Sequence, residues 1–482
     1  MRPVLATLQS LCYLFQMSTL SSLVILHSLW ISIQAHSLPA KNLSAALSEF
    51  ESAPEFQSVQ KLIESIHLDY SSRDLTLQPE LLVEAERTNE SREATTQISR
   101  PQLDSVGLTL SQSFSTGTQL RLKPTIESST SSLLVPADRS TFDWQVSLTQ
   151  NLWKDGFGRS TRLRRNRENF EKSRDLAAAQ LRRAQLYLDF EILYWDLVLA
   201  NREAELRSNN VRRGREILRW VEDRVRRSAA ENTDLLQAKA LLNNRELQLA
   251  SVAQNLNFMS AKMHRYIPGI SWQPDTTELA KPRAAEDLIA KWQRESLTEP
   301  LTFEVLAARS ETLAARIKAD ESRESIRPEF NLQLSYGKNA IDTEANLAAR
   351  RAWDESHEYS SIGLTFKTGL DLRQEYRKVE SARAVQASAE QKQAALEADA
   401  RVAWFRLKQE IEDLKKRIAY AEALVETQKR KADAERERYR KGRSTAFQSI
   451  TFEQDAAESE IALWSLYALM RKTEARARLF AN

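Results

Sequence analysis

The stretch Arg224–Ala261, RVRRSAAENTDLLQAKALLNNRELQLASVAQNLNFMSA, returns 214 positions later as Arg438–Ala475, RYRKGRSTAFQSITFEQDAAESEIALWSLYALMRKTEA. Aligned without a gap, Arg224 falls on Arg438, Arg226 on Arg440, Glu246 on Glu460 and Ser251 on Ser465, while Leu247, Leu249 and Leu256 meet Ile461, Leu463 and Met470. Each copy reads as the turn of a helical hairpin. A charged helix arrives, a polar loop reverses it at Ser228–Thr233 or Gly442–Thr445, and a second helix leaves. A period of 214 residues is far longer than any solenoid repeat, so the pattern is that of a duplicated half.

Outward from the first tip, only Gly214 interrupts a helical reading between Ser160 and Arg227, a run of about 100 Å at 1.5 Å per residue. The returning helix carries Leu235, Ala238, Leu242, Leu249, Val252, Leu256 and Met259 on a near-heptad seam broken by Arg245. Narrow apolar stripes of this kind must be buried against neighbours, so the helices ask for a bundle. The composition agrees: 28% charged residues with only 10 Gly and 12 Pro in 482 residues describe long helices with few turns. The 69 basic and 66 acidic residues nearly cancel, which argues against nucleic acid or an anionic surface as the main partner.

Ahead of each long helix the period changes from 3.6 to 2. Val106, Leu108, Leu110 and Phe114 alternate with Gly107, Thr109, Ser111 and Ser113; beyond a Ser/Thr-rich loop, Phe142, Trp144, Val146 and Leu148 alternate with Asp143, Gln145, Ser147 and Thr149. In the second half Phe330, Leu332, Leu334 and Tyr336 repeat the rule, and Ile362, Leu364 and Phe366 make a fourth strand. Polar faces of Ser, Thr, Gln and Asn suit a watery lumen and the apolar faces suit lipid, as in an outer-membrane barrel. A sheet packed on helices with one wet face fits each strand taken alone equally well. Pro54 to Pro101 spans 47 positions and Pro300 to Pro328 spans 28, so about 19 residues are inserted in the first half, around the acidic stretch Glu80–Ser99.

The apolar run Leu20–Ile33 is short for a spanning helix and, with Arg2 before it and Ala35 after it, reads as a signal peptide over residues 1–35. The sole cysteine, Cys12, lies within it, which leaves the mature chain without thiols. No later apolar run approaches the roughly 18 residues of a membrane helix, so an exported chain that enters a membrane does so as strands. The expected organisation is a first repeat over 36–266, a linker over 267–299 and a second repeat over 300–482, each repeat a helix, two barrel strands and a helical hairpin.

Enzyme chemistry is not indicated. The five histidines show no metal-ligand spacing, and no phosphate loop or nucleophile elbow is present, so no catalytic residue, metal or cofactor is expected. Most carboxylates sit three or four residues from a cation, as Glu435 does from Arg438, which is solvated helix pairing. Asp155, Gly156 and Gly158 mark a backbone reversal rather than a phosphate cradle. The cluster Arg159, Arg162, Arg164, Arg165 and Arg167 opposes the dipole of the helix it begins, and reads as a solvated face or a contact with lipid phosphates.

In order, the mature chain is helix, strand, strand, long helix, long helix, and then the same again. With the proline-led strands RPQL at Arg100 and RPEF at Arg327, the turn at Asp155 and Gly158, and the tips RYRKG (Arg438–Gly442) and TDLLQAKA (Thr233–Ala240), it resembles the TolC family of outer-membrane efflux and secretion channels. The resemblance implies a mostly α fold with a small β part. It implies a homotrimer in which four strands from each chain close one twelve-stranded transmembrane barrel, above a long periplasmic α-helical barrel. It implies a passive exit duct in the outer membrane of a Gram-negative bacterium, fed by an inner-membrane pump through a periplasmic adaptor. The tips Arg226, Arg227, Ser228, Thr233, Asp234, Arg440, Lys441, Gly442 and Arg443 are then the adaptor-docking surface. Leu108, Leu110, Val146, Leu148, Leu332, Leu334, Ile362, Leu364 and Phe366 face lipid. Two departures stand out: Ser228 replaces a tip glycine, and Gln448 and Thr451 stand where entrance carboxylates are usual, with Asp234 as the one acidic candidate. The competing expectation is a periplasmic coiled-coil scaffold that binds proteins without forming a pore.

Overall fold

Both helical hairpins form where the repeat places them, and the offset of 214 holds at their ends: one pair of helices stops at Arg226 and Arg440, the other starts at Asn232 and Ala446. The computed structural model describes residues 39–73, 77–89, 102–130, 138–228, 230–270, 272–280, 301–354, 357–369 and 372–480. The expected signal peptide lies outside the described residues. In chain order the elements are β1 (Ala40–Lys41), α1 (Leu43–Phe50), α2 (Pro54–Ser72), β2 (Glu80–Asn89), β3 (Gln102–Ser113), β4 (Thr118–Thr130), β5 (Asp138–Asn151), α3 (Arg159–Arg226), α4 (Asn232–Tyr266), β6 (Gln273–Pro274), α5 (Phe303–Ser325), β7 (Glu329–Asp342), α6 (Ala345–Asp354), β8 (Glu358–Lys367), α7 (Leu372–Arg440) and α8 (Ala446–Ala477). The protein is mostly helical with a smaller sheet part. None of the described helices is long and apolar enough to cross a membrane.

The chain divides into two compact units, one of Met1–Gln60, Arg182–Pro300 and Arg401–Asn482, the other of Lys61–Leu181 and Leu301–Ala400. In the first, Phe50 stacks on Phe190 with ring centroids 4.4 Å apart, and Tyr194, Val198, Met263, Trp272 and Leu279 complete the core around them. The front of the expected linker is part of this core: Ile267, Trp272 and Leu279 are buried, β6 pairs in parallel with β1, and the Trp272 indole donates to Glu49 at 2.8 Å. Residues 281–299 of that linker lie outside the described residues. The second hairpin is zipped by heptads. Trp404, Ile411, Ile418 and Val425 on α7, with Leu407 and Leu414 between them, pack with Leu463, Met470 and Ala477 of α8, themselves spaced by seven.

Arg245, the exception on the α4 seam, is buried and donates to the Asn210 carbonyl at 2.8 Å. Gly214 makes room for it, since a Cβ there would stand 3.3 Å from the Arg245 Cδ. Burial pushes the Arg245 guanidinium below its ordinary pKa, with the Glu453 carboxylate opposing that shift and Arg213 adding to it.

The second unit holds one antiparallel sheet in the order β2-β3-β4-β5-β7-β8. This corrects the expected count: the first half contributes four strands and the second two. The Ser/Thr-rich segment between the first two expected strands is not a loop but carries β4, and the first ten residues of the acidic stretch are β2. The proline equivalence moves with them. β7 begins at Glu329, after Pro328, at the end of the sheet where β2 begins at Glu80, after Pro79, whereas β3 begins at the opposite end. Pro54 to Pro79 spans 25 positions against 28 in the second half, so the extra residues build a hairpin within the sheet instead of lengthening the approach to it.

Candidate functional site: sheet faces and hairpin tips

Register sorts the side chains of the sheet into two faces. On one face Leu81, Val83 and Ala85 of β2 lie opposite Leu110, Leu108 and Val106 of β3, and Leu110 lies opposite Leu122 of β4. Leu122 and Ile126 then meet Val146 and Phe142 of β5, Val146 and Leu148 meet Tyr336 and Leu334 of β7, and Leu334, Leu332 and Phe330 meet Ile362, Leu364 and Phe366 of β8. The nine predicted lipid-facing residues therefore share one apolar face that runs unbroken across six strands. Gln150, not an apolar residue, stands opposite Leu332 on β5. The other face carries Glu84, Thr109, Arg121, Lys123, Gln145, Ser147, Gln333, Ser335 and Thr365, a charge-mixed polar surface.

Aromatic rings gather at two places on the sheet. Mid-strand on the apolar face, Trp144 stacks on Trp353 of α6 at 5.1 Å and meets Tyr336 edge-on at 5.9 Å; at the end that leads into α3, Phe114, Trp153 and Phe157 are exposed. Phe157 holds a left-handed backbone (φ 52), which L residues rarely adopt, in the turn between β5 and α3. Asp155 closes that turn by accepting from the Thr161 amide at 3.1 Å. The arginine cluster following it is anchored within the unit: Arg167 bonds Glu321 of α5 at 2.9 Å and Arg159 reaches the buried Glu324 at 3.3 Å. Ion pairing to α5, rather than a bare solvated face, accounts for these two.

At the tips, α7 ends in a Schellman turn. Arg443 N–H donates to the Arg438 carbonyl, Gly442 N–H donates to Tyr439, and Gly442 takes φ 71. Ser228 occupies the same place after α3 with φ 55, its N–H donating to Val225. The two hairpins share a small core in which Tyr439 packs among Ile217, Val221, Ala238 and Leu241. Reciprocal cations seal it, with Arg224 over the Tyr439 ring at 5.1 Å and Arg440 over the Trp220 ring at 4.8 Å. Arg440 is thus engaged inside the tip, Arg226 pairs with Asp223 and Lys441 with Glu437, while Arg227 and Arg443 are exposed.

The entrance candidates serve first as helix caps. Asp234 accepts from the Glu231 amide in a capping box with Thr233 alongside it, and Gln448 N–H donates to the capping Thr445 hydroxyl at 3.3 Å. Thr451 bonds back to the Phe447 carbonyl at 2.9 Å. The acidic group that sequence reasoning passed over is Glu453, buried between Arg436 and Arg213; its signal was an acid at a seam position. Among the described residues no group of three or more His, Cys, Asp or Glu side chains is placed to hold a metal.

Backbone conformation at the two tips makes a stability prediction. Ser228→Gly relieves a left-handed serine and should raise stability by about 0.5–1 kcal/mol. Gly442→Val, where a Cβ would meet nothing within 4 Å, should cost about 1–2 kcal/mol through backbone strain alone. Thermal unfolding of the two purified variants checks this, and opposite signs of shift are required.

Similarity to solved structures spans nearly the whole chain. The outer membrane protein VceC of Vibrio cholerae superimposes with a TM-score of 0.63 at 13% identity, over 91% of this chain and 96% of that one. The chain has a TolC-like fold. The outer-membrane channel OprN gives a TM-score of 0.62 at 12% identity over 91% and 90% of the two chains, and CusC gives 0.61 at 11% over 91% of each. No family model and no curated protein matches the sequence.

Proposed function

We propose that this protein is an outer-membrane channel, the passive exit duct of an export system in which a periplasmic adaptor and an inner-membrane pump deliver the cargo. The observation that carries this reading is the unbroken apolar face across all six strands, on a sheet whose outermost strands pair on one side only. Open edges are not tolerated in lipid, so such a sheet must close with further copies of itself. The helices point the same way. On α4 the exposed Leu236, Leu247 and Phe258 recur every eleven residues, on one face of a straight helix, and on α7 Val402, Phe405, Tyr420 and Leu424 are exposed. Neighbouring copies in a homotrimer would cover both stripes and turn paired hairpins into a closed helical wall. The similar fold of OprN, which is named as an outer-membrane channel, supports the channel reading.

The test joins location to conduction. Exported protein should fractionate with the outer membrane as a heat-labile oligomer, and the purified oligomer should conduct ions in a planar bilayer. A soluble periplasmic species without conductance would instead establish the non-pore scaffold. For adaptor docking at the tips, Arg227→Glu with Arg443→Glu is the informative pair, because Arg440 also holds the tip core together. Cross-linking to the cognate adaptor should fall at least about tenfold, the loss of about 1.4 kcal/mol that two rim charges can supply. Unchanged cross-linking with normal export would move docking away from the tips.

A further inference from the structure

The two edges of the sheet match one another. β2 and β8 are each ten residues long, and because six strands in an antiparallel meander bring the chain back to the end where it began, they run in opposite directions. We propose that β2 of one copy pairs with β8 of the next, Glu80 opposite Lys367 and Asn89 opposite Glu358, so that each chain contributes six strands and three copies close an eighteen-stranded barrel. This rests on the trimeric channel proposed above and replaces the four strands per chain that the family resemblance implies.

Side-chain parity supports that seam. With the strand ends flush, Leu81 meets Phe366, Val83 meets Leu364 and Ala85 meets Ile362, which continues the apolar face from one copy to the next, and Glu80 meets the opposite charge of Lys367. A slide of one residue would set Leu81, Val83 and Ala85 of β2 against the polar face of β8. The exposure of these residues fits a missing neighbour: Val83 is 61% exposed, Ile362 75% and Leu364 65%, whereas Leu108 and Leu110, on the same face of an interior strand, are 42% and 43% exposed.

Closure geometry gives an independent check. From Glu80, successive opposite residues are Ser111, Arg121, Ser147, Ser335 and Ser361. Flush pairing then leads from Ser361 to Glu86 of the next copy, a shift of six residues over six strands. With a rise of about 3.3 Å per residue and strands about 4.8 Å apart, that shear sets a tilt of ~35°, within the range that closed barrels adopt. The tilt does not depend on the number of copies. For three copies the backbone diameter is about 34 Å, against about 23 Å for twelve strands at the same tilt.

The additional strands are built in, since β3 and β4 are paired on both sides. The turn joining them, Phe114–Thr118, is fastened to the turn that starts α3: the Asn151 amide donates to the Gly117 carbonyl at 3.2 Å, and the Ser115 carbonyl lies where any Cβ of residue 158 would be. Removing β2 and β3 from beside β4 would open that turn and undo the joint between sheet and helix.

Cysteine pairs decide the seam, using the mature chain expected to lack thiols. Leu82→Cys with Thr365→Cys, opposite one another in the proposed register, should shift most protein in outer-membrane fractions to two and three chain masses on oxidation. Arg121→Cys with Thr365→Cys, which would be neighbours if only β4, β5, β7 and β8 entered the barrel, should stay at one chain mass. The reverse pattern overturns the seam and leaves the channel reading standing, as does a count of twelve strands by electron cryo-microscopy. Ser147→Cys with Ser335→Cys, opposite one another within the chain, reports that the sheet has formed. If that pair closes and neither of the others links chains, no shared barrel exists, and the channel reading fails with the seam.

Discussion

Arginine at Leu108 or Ile362 is expected to abolish the membrane-inserted oligomer. Both side chains lie on the apolar face near mid-strand, Leu108 opposite Val83 and Ile362 opposite Leu334. A guanidinium facing lipid at that depth costs about 2–4 kcal/mol. Because every copy carries the change, a trimer bears it three times, about 6–12 kcal/mol in all, comparable with the whole stability of an ordinary domain. The matched controls are Thr109→Arg and Thr365→Arg, one and three positions further along on the polar face, opposite Leu82 and Asn331. There the guanidinium enters water and assembly should stay near the wild-type level. The yield of heat-labile oligomer in outer-membrane fractions is the measurement. Equal yields from the two faces would sink the barrel and favour a sheet packed on protein.

The hairpins were legible from the sequence because a gapless repeat of Arg224–Ala261 at Arg438–Ala475 fixes both tips at once, and the helix ends fall on that offset to the residue. The apolar faces were equally readable, since period-2 alternation does not depend on which strand lies next door. The number of strands was not. β4 alternates through Leu120, Leu122 and Ile126, but Pro124 and the charged Arg121 and Lys123 between them read as a loop. The sheet accommodates Pro124 by a gap: the β3–β4 register passes from Gly107 opposite Thr125 to Leu110 opposite Leu122, while the β4–β5 register runs straight through Pro124 opposite Trp144. A proline without an amide hydrogen therefore removes ladder bonds on one side only. β2 was obscured in another way. Leu81, Leu82 and Val83 form a continuous apolar triplet followed by acids, and only pairing with β3 reveals which of them share a face.

The partners of individual charges were out of reach for the same reason. Spacing along one helix predicts pairs such as Lys441 with Glu437, but Arg440 over Trp220 and Glu453 with Arg213 join residues more than two hundred positions apart. Nothing in a single helix announces such pairs. Arg245 shows how far this can mislead: read alone it breaks a seam, yet the groove left by Gly214 on α3 and the Asn210 carbonyl make it a buried part of that seam.

Gly158→Ala is expected to be the most damaging single methyl in the protein. Two independent demands meet at this residue. Its φ of +77 lies in the left-handed region, which costs an L residue about 1–2 kcal/mol. A Cβ there would also stand 1.8 Å from the Ser115 carbonyl oxygen and 2.9 Å from the Thr116 carbonyl carbon, both of them backbone atoms that no rotamer change can move aside. The β3–β4 turn would have to separate from the β5–α3 turn, giving up the Asn151 bond to Gly117 and disturbing the Asp155 cap on α3. The combined loss should exceed about 4 kcal/mol, a size reserved for this kind of core backbone overlap. Gly156→Ala, two residues away, meets nothing within 4 Å and has no positive φ, so it should change stability by less than about 0.5 kcal/mol. Gly117→Ala presses on the same joint from the other side, 2.8 Å from the Asp155 carbonyl oxygen, and because both changes open one contact the double variant should be little worse than Gly158→Ala alone. Thermal unfolding and oligomer yield of the four variants, measured side by side, separate this locked joint from a simple glycine turn: a Gly158→Ala protein as stable as Gly156→Ala would mean that the β3–β4 turn does not rest on residue 158.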